Sequence, residues 1–262
     1  MILLKLPMGA DNLTYVVAAD KGRQCAVVDP IDAGDIIDAI KQAGLGQVAA
    51  IFNTHGHGDH TGGNVDLAKQ AGAPIYAHDP DRAGIPGSPK PVKDDEVIDI
   101  DGLGIRVMHT PGHTPGGICL FIQPQGEAPW LISGDTVFMS GCGNPRFGGN
   151  PETLYETFGS KIYPLSPQTR LCPGHDYSIT NLKFALSVEP DNGVAKNKLE
   201  QSQQLQSRGD IPESTLGQER EFSPFFRLGS ASIRATLAQR FSRSFTDDRA
   251  VFLALRELRN QW

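Results

Sequence analysis

The sequence predicts an α/β protein, a four-layer sandwich of helices and sheets with a helical domain after it. Three observations predict this. Short apolar runs alternate with helical stretches as far as residue 177. Several of those runs end in a histidine or aspartate beside a glycine. From Asn181 onwards the β-like runs stop and the pattern turns helical, with Glu, Gln and Lys on the polar faces. Two rounds of strands and helices flanking one site suit a sandwich, and the change of character divides residues 1–177 from 178–262.

The elements follow in order. Ile2–Leu6, Leu13–Ala19 and Cys25–Val28 read as a β-meander, ended by Asp29-Pro30. From Asp32 to Gly44, Ile36, Ile37 and Ile40 share one helical face and Gly44 stops the helix. Val48–Phe52 is short and apolar enough for a buried strand. A helix capped by Thr61 or Asn64 runs through Gln70 to Gly72, with its first turn over the site, and Pro74–Ala77 is a further strand. Residues 79–95, with prolines at 80, 86, 89 and 91, read as an irregular loop. Val97–Ile100, Ile105–His109, Gly117–Ile122 and Trp130–Ser133 are strands, Glu152–Phe158 a helix and Thr169–Cys172 the last strand.

Chemistry concentrates after Phe52. Within Thr54-His55-Gly56-His57-Gly58-Asp59-His60, three histidines and one aspartate fall in six residues. Neutral imidazole and carboxylate are ligands for divalent metals such as zinc, and Gly56 and Gly58 would let the backbone fold sharply enough for four side chains to converge. Such a density exceeds one four-coordinate metal with an open position and suits two adjacent metals. His113, Asp135 and His175 repeat the pattern, each next to a glycine after an apolar run. Any one of them alone would read as a turn residue; together they point to a shared site.

Composition bounds the alternatives. A net charge of -6 and a pI near 5.6 give no broad basic surface for nucleic acid. No run approaches the ~18 apolar residues of a membrane span, and the N-terminus lacks the basic region and cleavage site of a signal peptide. The four cysteines are scattered without CxxC spacing, so the reading is a cytoplasmic protein, as a monomer.

The motifs Thr54–His60, His113, Asp135 and His175, in that order, resemble those of the metallo-β-lactamase fold superfamily. Within it, Ser133–Phe138 with Gly141-Cys142-Gly143, Gly174–Tyr177, Asn181–Pro190 and Ser223–Arg227 resemble the glyoxalase II, or hydroxyacylglutathione hydrolase, family. The resemblance implies residues 1–177 as a metal-hydrolase domain and 178–262 as a helical substrate-binding domain. It implies one metal on His55, His57 and His113, a second on Asp59, His60 and His175, and Asp135 bridging them. His109 receives no ligand role. The metals are zinc, with iron or manganese accepted by the same donors.

The implied reaction is hydrolysis of S-D-lactoylglutathione, or a related S-acylglutathione, to glutathione and a 2-hydroxy acid by a hydroxide shared between the metals. Asp59 orients that hydroxide. A thiolate leaves without a general acid, in keeping with the absence of a GxSxG signature. Tyr177, Arg256 and Arg259 match the family's tripeptide contacts; from spacing alone the two arginines would be a solvated helix face. The sequence departs from the family after Gly143, where Asn144-Pro145 precede Arg146-Phe147; Arg146 supplies the expected positive charge there and Phe147 one aromatic. Open alternatives are a same-fold thioesterase or esterase for another substrate, a glutathione persulfide dioxygenase with one iron, and a non-catalytic binding module.

Overall fold

The structure is a computed structural model that describes residues 1–20 and 22–262. Its first sheet is six-stranded: β1 (Ile2–Met8), β2 (Asn12–Ala18), β3 (Gln24–Val28), β4 (Gln47–Phe52), β5 (Ile75–His78) and β6 (Lys90–Val92), adjacent in that order. The meander β1–β3 is antiparallel; β3, β4, β5 and β6 are parallel. Parallel pairing requires crossovers, supplied by helices α1 (Ala33–Gln42) and α2 (Asn64–Ala71) and by a segment carrying the short α3 (Asp79–Arg82). Asp32 caps α1 by accepting from the Asp35 N–H, and Gly72 ends α2 in the left-handed conformation.

The second sheet contains β7 (Val97–Ile100), β8 (Leu103–His109), β9 (Ile118–Ile122), β10 (Trp130–Gly134), β13 (Arg170–Pro173) and β14 (Ser214–Thr215), from one edge to the other. A separate hairpin, β11 (Val137–Phe138) and β12 (Gly141–Cys142), follows β10. Helix α4 (Pro151–Thr157) precedes β13, and α5 (Ser178–Val188), α6 (Gly193–Gln206), α7 (Leu216–Phe222), α8 (Ala231–Phe241) and α9 (Asp248–Arg259) complete the chain.

Strand alternation sorts side chains into layers. On β2, Val16 and Ala18 face Ile36, Ile40 and Leu67 of α1 and α2. Tyr15 and Val17 face the other way, into a core shared with Val107, Ile118, Leu120 and Ile132 of the second sheet. The far face of that sheet, Met108, Cys119, Leu131 and Leu171, packs on Leu154, Phe158, Phe184, Phe225 and Phe252 of the helices. The order is helix, sheet, sheet, helix: the αββα sandwich expected from the sequence. Each fully buried phenylalanine in the last layer is worth about 1.5–3 kcal/mol.

Two expectations are corrected. Residues 79–95 are not wholly irregular: Lys90–Val92 pairs with β5 as an edge strand, where Pro91 needs no donor on its open side. The C-terminal region is not purely helical, since Ser214 and Thr215 pair with Leu171 and Arg170 at the other edge. No helix of the described residues is long and apolar enough to cross a membrane.

Candidate metal centre

The loops after β4, β8, β10 and β13 meet at one end of the sandwich, because those strands end there in register. In the first sheet Val28 pairs with Phe52; in the second Gly134 pairs with Pro173. Ligand-type side chains placed just beyond each strand therefore converge. His55, His57 and His113 form one group, Asp59, His60 and His175 another, and Asp135 joins His55 and His60 in a third, with donor atoms within 4.8 Å of one another in each. Asp135 faces both halves: Oδ2 lies 3.6 Å from His113 Nε2 and 3.5 Å from His175 Nε2, and Oδ1 lies 3.5 Å from His60 Nε2.

Close approach of the loops demands glycine at particular places. Gly134 takes a φ of +46° against Thr54, and a Cβ on Gly174 would lie 2.5 Å from Asp135 Oδ1. The role expected of Gly58 is corrected, since it has no positive φ and faces open space; Gly56 also has no positive φ, but a Cβ there would lie 3.3 Å from the Asp81 carbonyl oxygen, so lack of bulk counts at that position.

The outer nitrogen of every histidine in the cluster meets an oxygen. His113 Nδ1–H donates to the Asn144 carbonyl at 2.9 Å and His57 Nε2–H to the Phe147 carbonyl at 3.2 Å. His60 Nδ1–H donates to Asp29 Oδ2 at 3.0 Å and His175 Nδ1–H to Asp11 Oδ1 at 2.9 Å. Thr54 gives its hydroxyl hydrogen to Asp29, so His55 Nδ1–H donates to Thr54 Oγ1, at 3.1 Å. Carbonyls and carboxylates only accept, so each inner nitrogen of a neutral ring keeps its lone pair. Those lone pairs point at one another: His57 Nδ1 is 3.0 Å from His55 Nε2 and 3.1 Å from His113 Nε2, and His60 Nε2 is 3.1 Å from His175 Nε2.

Electrostatics agrees. Burial, with neighbouring histidines, pushes His55 well below the usual imidazole range, and burial also lowers His113, so these rings are neutral. Burial also disfavours charge on His60, yet Asp29, Asp135 and Asp59 raise it to about 9, so without a metal its Nε2 carries a proton that a bound cation would displace. That position calls for a cation. Asp135 Oδ1 is buried with no hydrogen-bond partner among the described residues. Converging lone pairs, an orphaned carboxylate oxygen and a mixed nitrogen/oxygen donor set fit a divalent metal centre.

Several residues that build the centre were not singled out in the sequence. Asp29, at φ +52° just beyond β3, accepts from the Thr54 N–H at 2.7 Å and from His60. Asp81, in the segment expected to be irregular, accepts from the N–H of Gly56, the hydroxyl of Thr114 and the N–H of Gly116, stitching the two histidine loops together. Asp11 and Asn12 reach in from the β1–β2 turn. Asp11 stands in the turn and Asp29 in a bend, Asn12 opens β2 and Asp81 lies in the short α3; the sequence context of each carries no further signal.

A cleft of about 540 Å³ opens on the cluster. His57, Asp59, His113, Asp135 and His175 line it, with Phe138, Cys142, Phe147, Tyr177, Asn181, Arg256, Arg259 and Trp262. Tyr177 stacks on His175, ring centroids 4.8 Å apart. Arg146 does not line the cleft: it is exposed, and its Nη1 donates at 3.2 Å to the carbonyl of Asn260, which does line it. His109 lies off the cluster, stacked on His78 at 3.9 Å.

Arg256 and Arg259 lie on the buried side of α9. Arg256, 4% exposed, donates to the carbonyls of Cys142 and Gly143 and to Asn260 Oδ1. Arg259 donates to Asn181 Oδ1 at 3.2 Å. Every one of these partners is neutral. Burial, then the charge of Arg256, lowers the pKa of Arg259, so this wall of the cleft favours an anion.

The profile of the metallo-beta-lactamase superfamily matches residues 9–183, and that of the hydroxyacylglutathione hydrolase C-terminus matches residues 176–262. The chain belongs to the metallo-beta-lactamase superfamily and, within it, to the hydroxyacylglutathione hydrolase family. It is 37% identical over 254 residues to a hydroxyacylglutathione hydrolase of Nitrosococcus oceani, covering 96% of this chain and 95% of the relative. It is 38% identical over 263 residues to one of Anaeromyxobacter dehalogenans, covering 100% of both. A crystal structure of a metallo-beta-lactamase from Staphylococcus aureus superposes with a TM-score of 0.67 at 22% identity, covering 98% of this chain and 71% of that one, a likeness of fold.

Proposed function

We propose that this chain hydrolyses the thioester of S-D-lactoylglutathione, or a related S-acylglutathione, to glutathione and a 2-hydroxy acid. The observation that carries this is the pairing, across one cleft, of a seven-donor metal cluster with one buried and one half-buried guanidinium, Arg256 and Arg259, whose hydrogen-bond partners among the described residues are all neutral. A glutathione thioester presents both chemistries at once, an electrophilic carbonyl and an anionic tripeptide.

His55, His57 and His113 would hold one divalent metal and Asp59, His60 and His175 the other, with Asp135 a donor available to both. Zinc suits the donors best, and iron or manganese is accepted. When bound, the metal pair supplies Lewis acidity, bringing the pKa of water towards 7 and polarising a carbonyl. Asp59 is the donor most open to the cleft, its side chain 53% exposed. Burial acts against its charge, but His60 and Asn12 hold its pKa below the usual value. As a carboxylate it accepts a hydrogen from the attacking water and aims the oxygen at the carbonyl carbon.

Attack forms the C–O bond, the C–S bond breaks, and the sulfur leaves as a thiolate that needs no proton donor. Arg259, with Arg256 behind it, pairs with the glycine carboxylate of glutathione. Tyr177 and Phe147 border the path between carboxylate and carbonyl. One chain supplies every donor and both arginines, so the reading needs no second subunit. The four cysteines are free and buried, which suits a reducing cytoplasm. On this reading residues 1–177 carry the chemistry and 178–262 the tripeptide site.

Thiol release from S-D-lactoylglutathione beside an acyl-CoA thioester tests the proposal. Release from the glutathione thioester alone is expected. Equal or faster release from the CoA thioester would remove the tripeptide role of Arg256, Arg259 and Tyr177.

A further inference from the structure

The turn between β1 and β2 is built into the metal cluster, although a hairpin needs only turn-forming residues there. Backbone bonds clamp it on both sides of His175: Leu13 N–H donates to the Gly174 carbonyl at 2.8 Å and Asp176 N–H to the Asp11 carbonyl at 2.9 Å. Two side chains then reach inward. Asp11 Oδ1 accepts from His175 Nδ1–H at 2.9 Å. Asn12, 8% exposed, donates through Nδ2 to Asp59 Oδ2 at 3.2 Å and to the Asp59 carbonyl at 3.1 Å. Asp59 Oδ2 is the oxygen that faces the second histidine pair, 3.4 Å from His175 Nε2 and 3.7 Å from His60 Nε2.

Both targets belong to the same half of the cluster. There His60 rests on the carboxylate of Asp29 and His175 on that of Asp11. In the other half the acceptors are the Thr54 hydroxyl and the backbone carbonyls of Asn144 and Phe147, and Phe147 is 69% exposed. A carboxylate behind an imidazole fixes its tautomer and also makes the ring a stronger donor, whereas a carbonyl fixes the tautomer with less charge.

We propose that Asp11 and Asn12 are positioning residues for the Asp59/His60/His175 half, and that they make it the tighter of two unequal metal sites. Asp11 holds His175 with Nε2 turned inward, and Asn12 holds the Asp59 carboxylate on the same point. This rests on the two-metal reading above.

The test measures zinc binding by competition with a chromophoric chelator for the wild type, Asp11→Asn and Asn12→Ala, with melting of each metal-free protein as the control for folding. The wild type should bind two zinc ions with unequal affinities. Each variant should weaken the tighter one by about 10–100-fold, leave the other unchanged and melt, metal-free, like the wild type. His57→Ala isolates the hairpin's half, and adding Asp11→Asn to it should weaken the zinc that remains. Should Asp11→Asn fail to fold, Asn12→Ala carries the same expectation. Two unchanged affinities, or two lowered equally, would overturn the hairpin's role and leave the two-metal reading standing. A wild type that binds no zinc would overturn both.

Discussion

Arg256 Nη1 donates to the Cys142 carbonyl at 2.7 Å, and this bond ties the last helix to the hairpin that borders the metal centre. The guanidinium therefore has a structural duty as well as a charge. Asp247, the cap of α9, and the buried Val251, Leu255 and Leu258 fix the helix that presents it.

The two arginines should separate on this ground. Arg259→Ala removes a cation whose hydrogen bonds, among the described residues, all go to Asn181, so it should raise KM about tenfold or more with kcat near wild type. Arg256→Ala also strands the carbonyls of Cys142 and Gly143, so it should cost about 2–4 kcal/mol of stability besides raising KM. Steady-state kinetics with urea unfolding of both variants checks this; equal stability losses would contradict the assignment.

Asp135 faces donors of both halves, so its removal should do more harm than loss of any outer partner. Asp135→Ala should lower kcat by more than about 100-fold and release metal on dialysis. Metal counting beside single-turnover thiol release distinguishes the two effects. Full metal content with normal turnover would remove Asp135 from the centre.

Glu219 gives the fold a pH dependence of its own. Its carboxyl is fully buried and burial raises its pKa to about 7, against bonds from Ser214 and the Ser140 N–H. The unfolded value is near 4.5. Between these values the folded chain holds a proton that the unfolded chain has lost, so stability falls as pH rises from 4.5 to 7. The contribution is complete below the lower value and gone above the upper one. Glu219→Gln, which cannot ionise, should flatten that decline. Urea midpoints at pH 5 and pH 8 should converge in the variant, and a decline as steep as the wild type's would rule Glu219 out as its source.

Glu189 behaves in the opposite sense. Burial opposes its charge, but two bonds from Arg227, at 2.8 Å each, with Ser230 and Asn192, hold its pKa below the ordinary value. Stability from this group is present at neutral pH and is lost as pH falls through its lowered pKa. Glu189→Ala leaves Arg227 without its partner at the junction of α5 and α8, and should cost about 3 kcal/mol at pH 7. The deficit should shrink in acid; one that is the same at pH 3 and pH 7 would contradict the account.

The cluster was legible because seven residues of metal-ligand type stand just after apolar runs, and each run proved to be a strand or its extension. The αββα order was legible too, since the succession of short apolar runs and helical stretches, and the amphipathic spacing of α1, survive in the linear pattern. Asp29, Asp81, Asp11 and Asn12 were not legible, because a carboxylate or amide at a strand end, in a turn or on a one-turn helix satisfies local geometry whether or not a histidine lies behind it. Lys90–Val92 hid among prolines that an edge strand tolerates. Ser214-Thr215 is too short to show a period. Arg146 donates to the Asn260 carbonyl, a contact between residues 114 apart that the linear sequence does not show.

Anaerobic turnover of S-D-lactoylglutathione, in protein of measured metal content before and after chelation, tests the central claim most directly. The expected result is thiol release that needs no oxygen, disappears on chelation and returns fully at two metal ions per chain. Thiol release that persists in metal-free protein, or that is complete with one ion per chain, would contradict a two-metal thioester hydrolase.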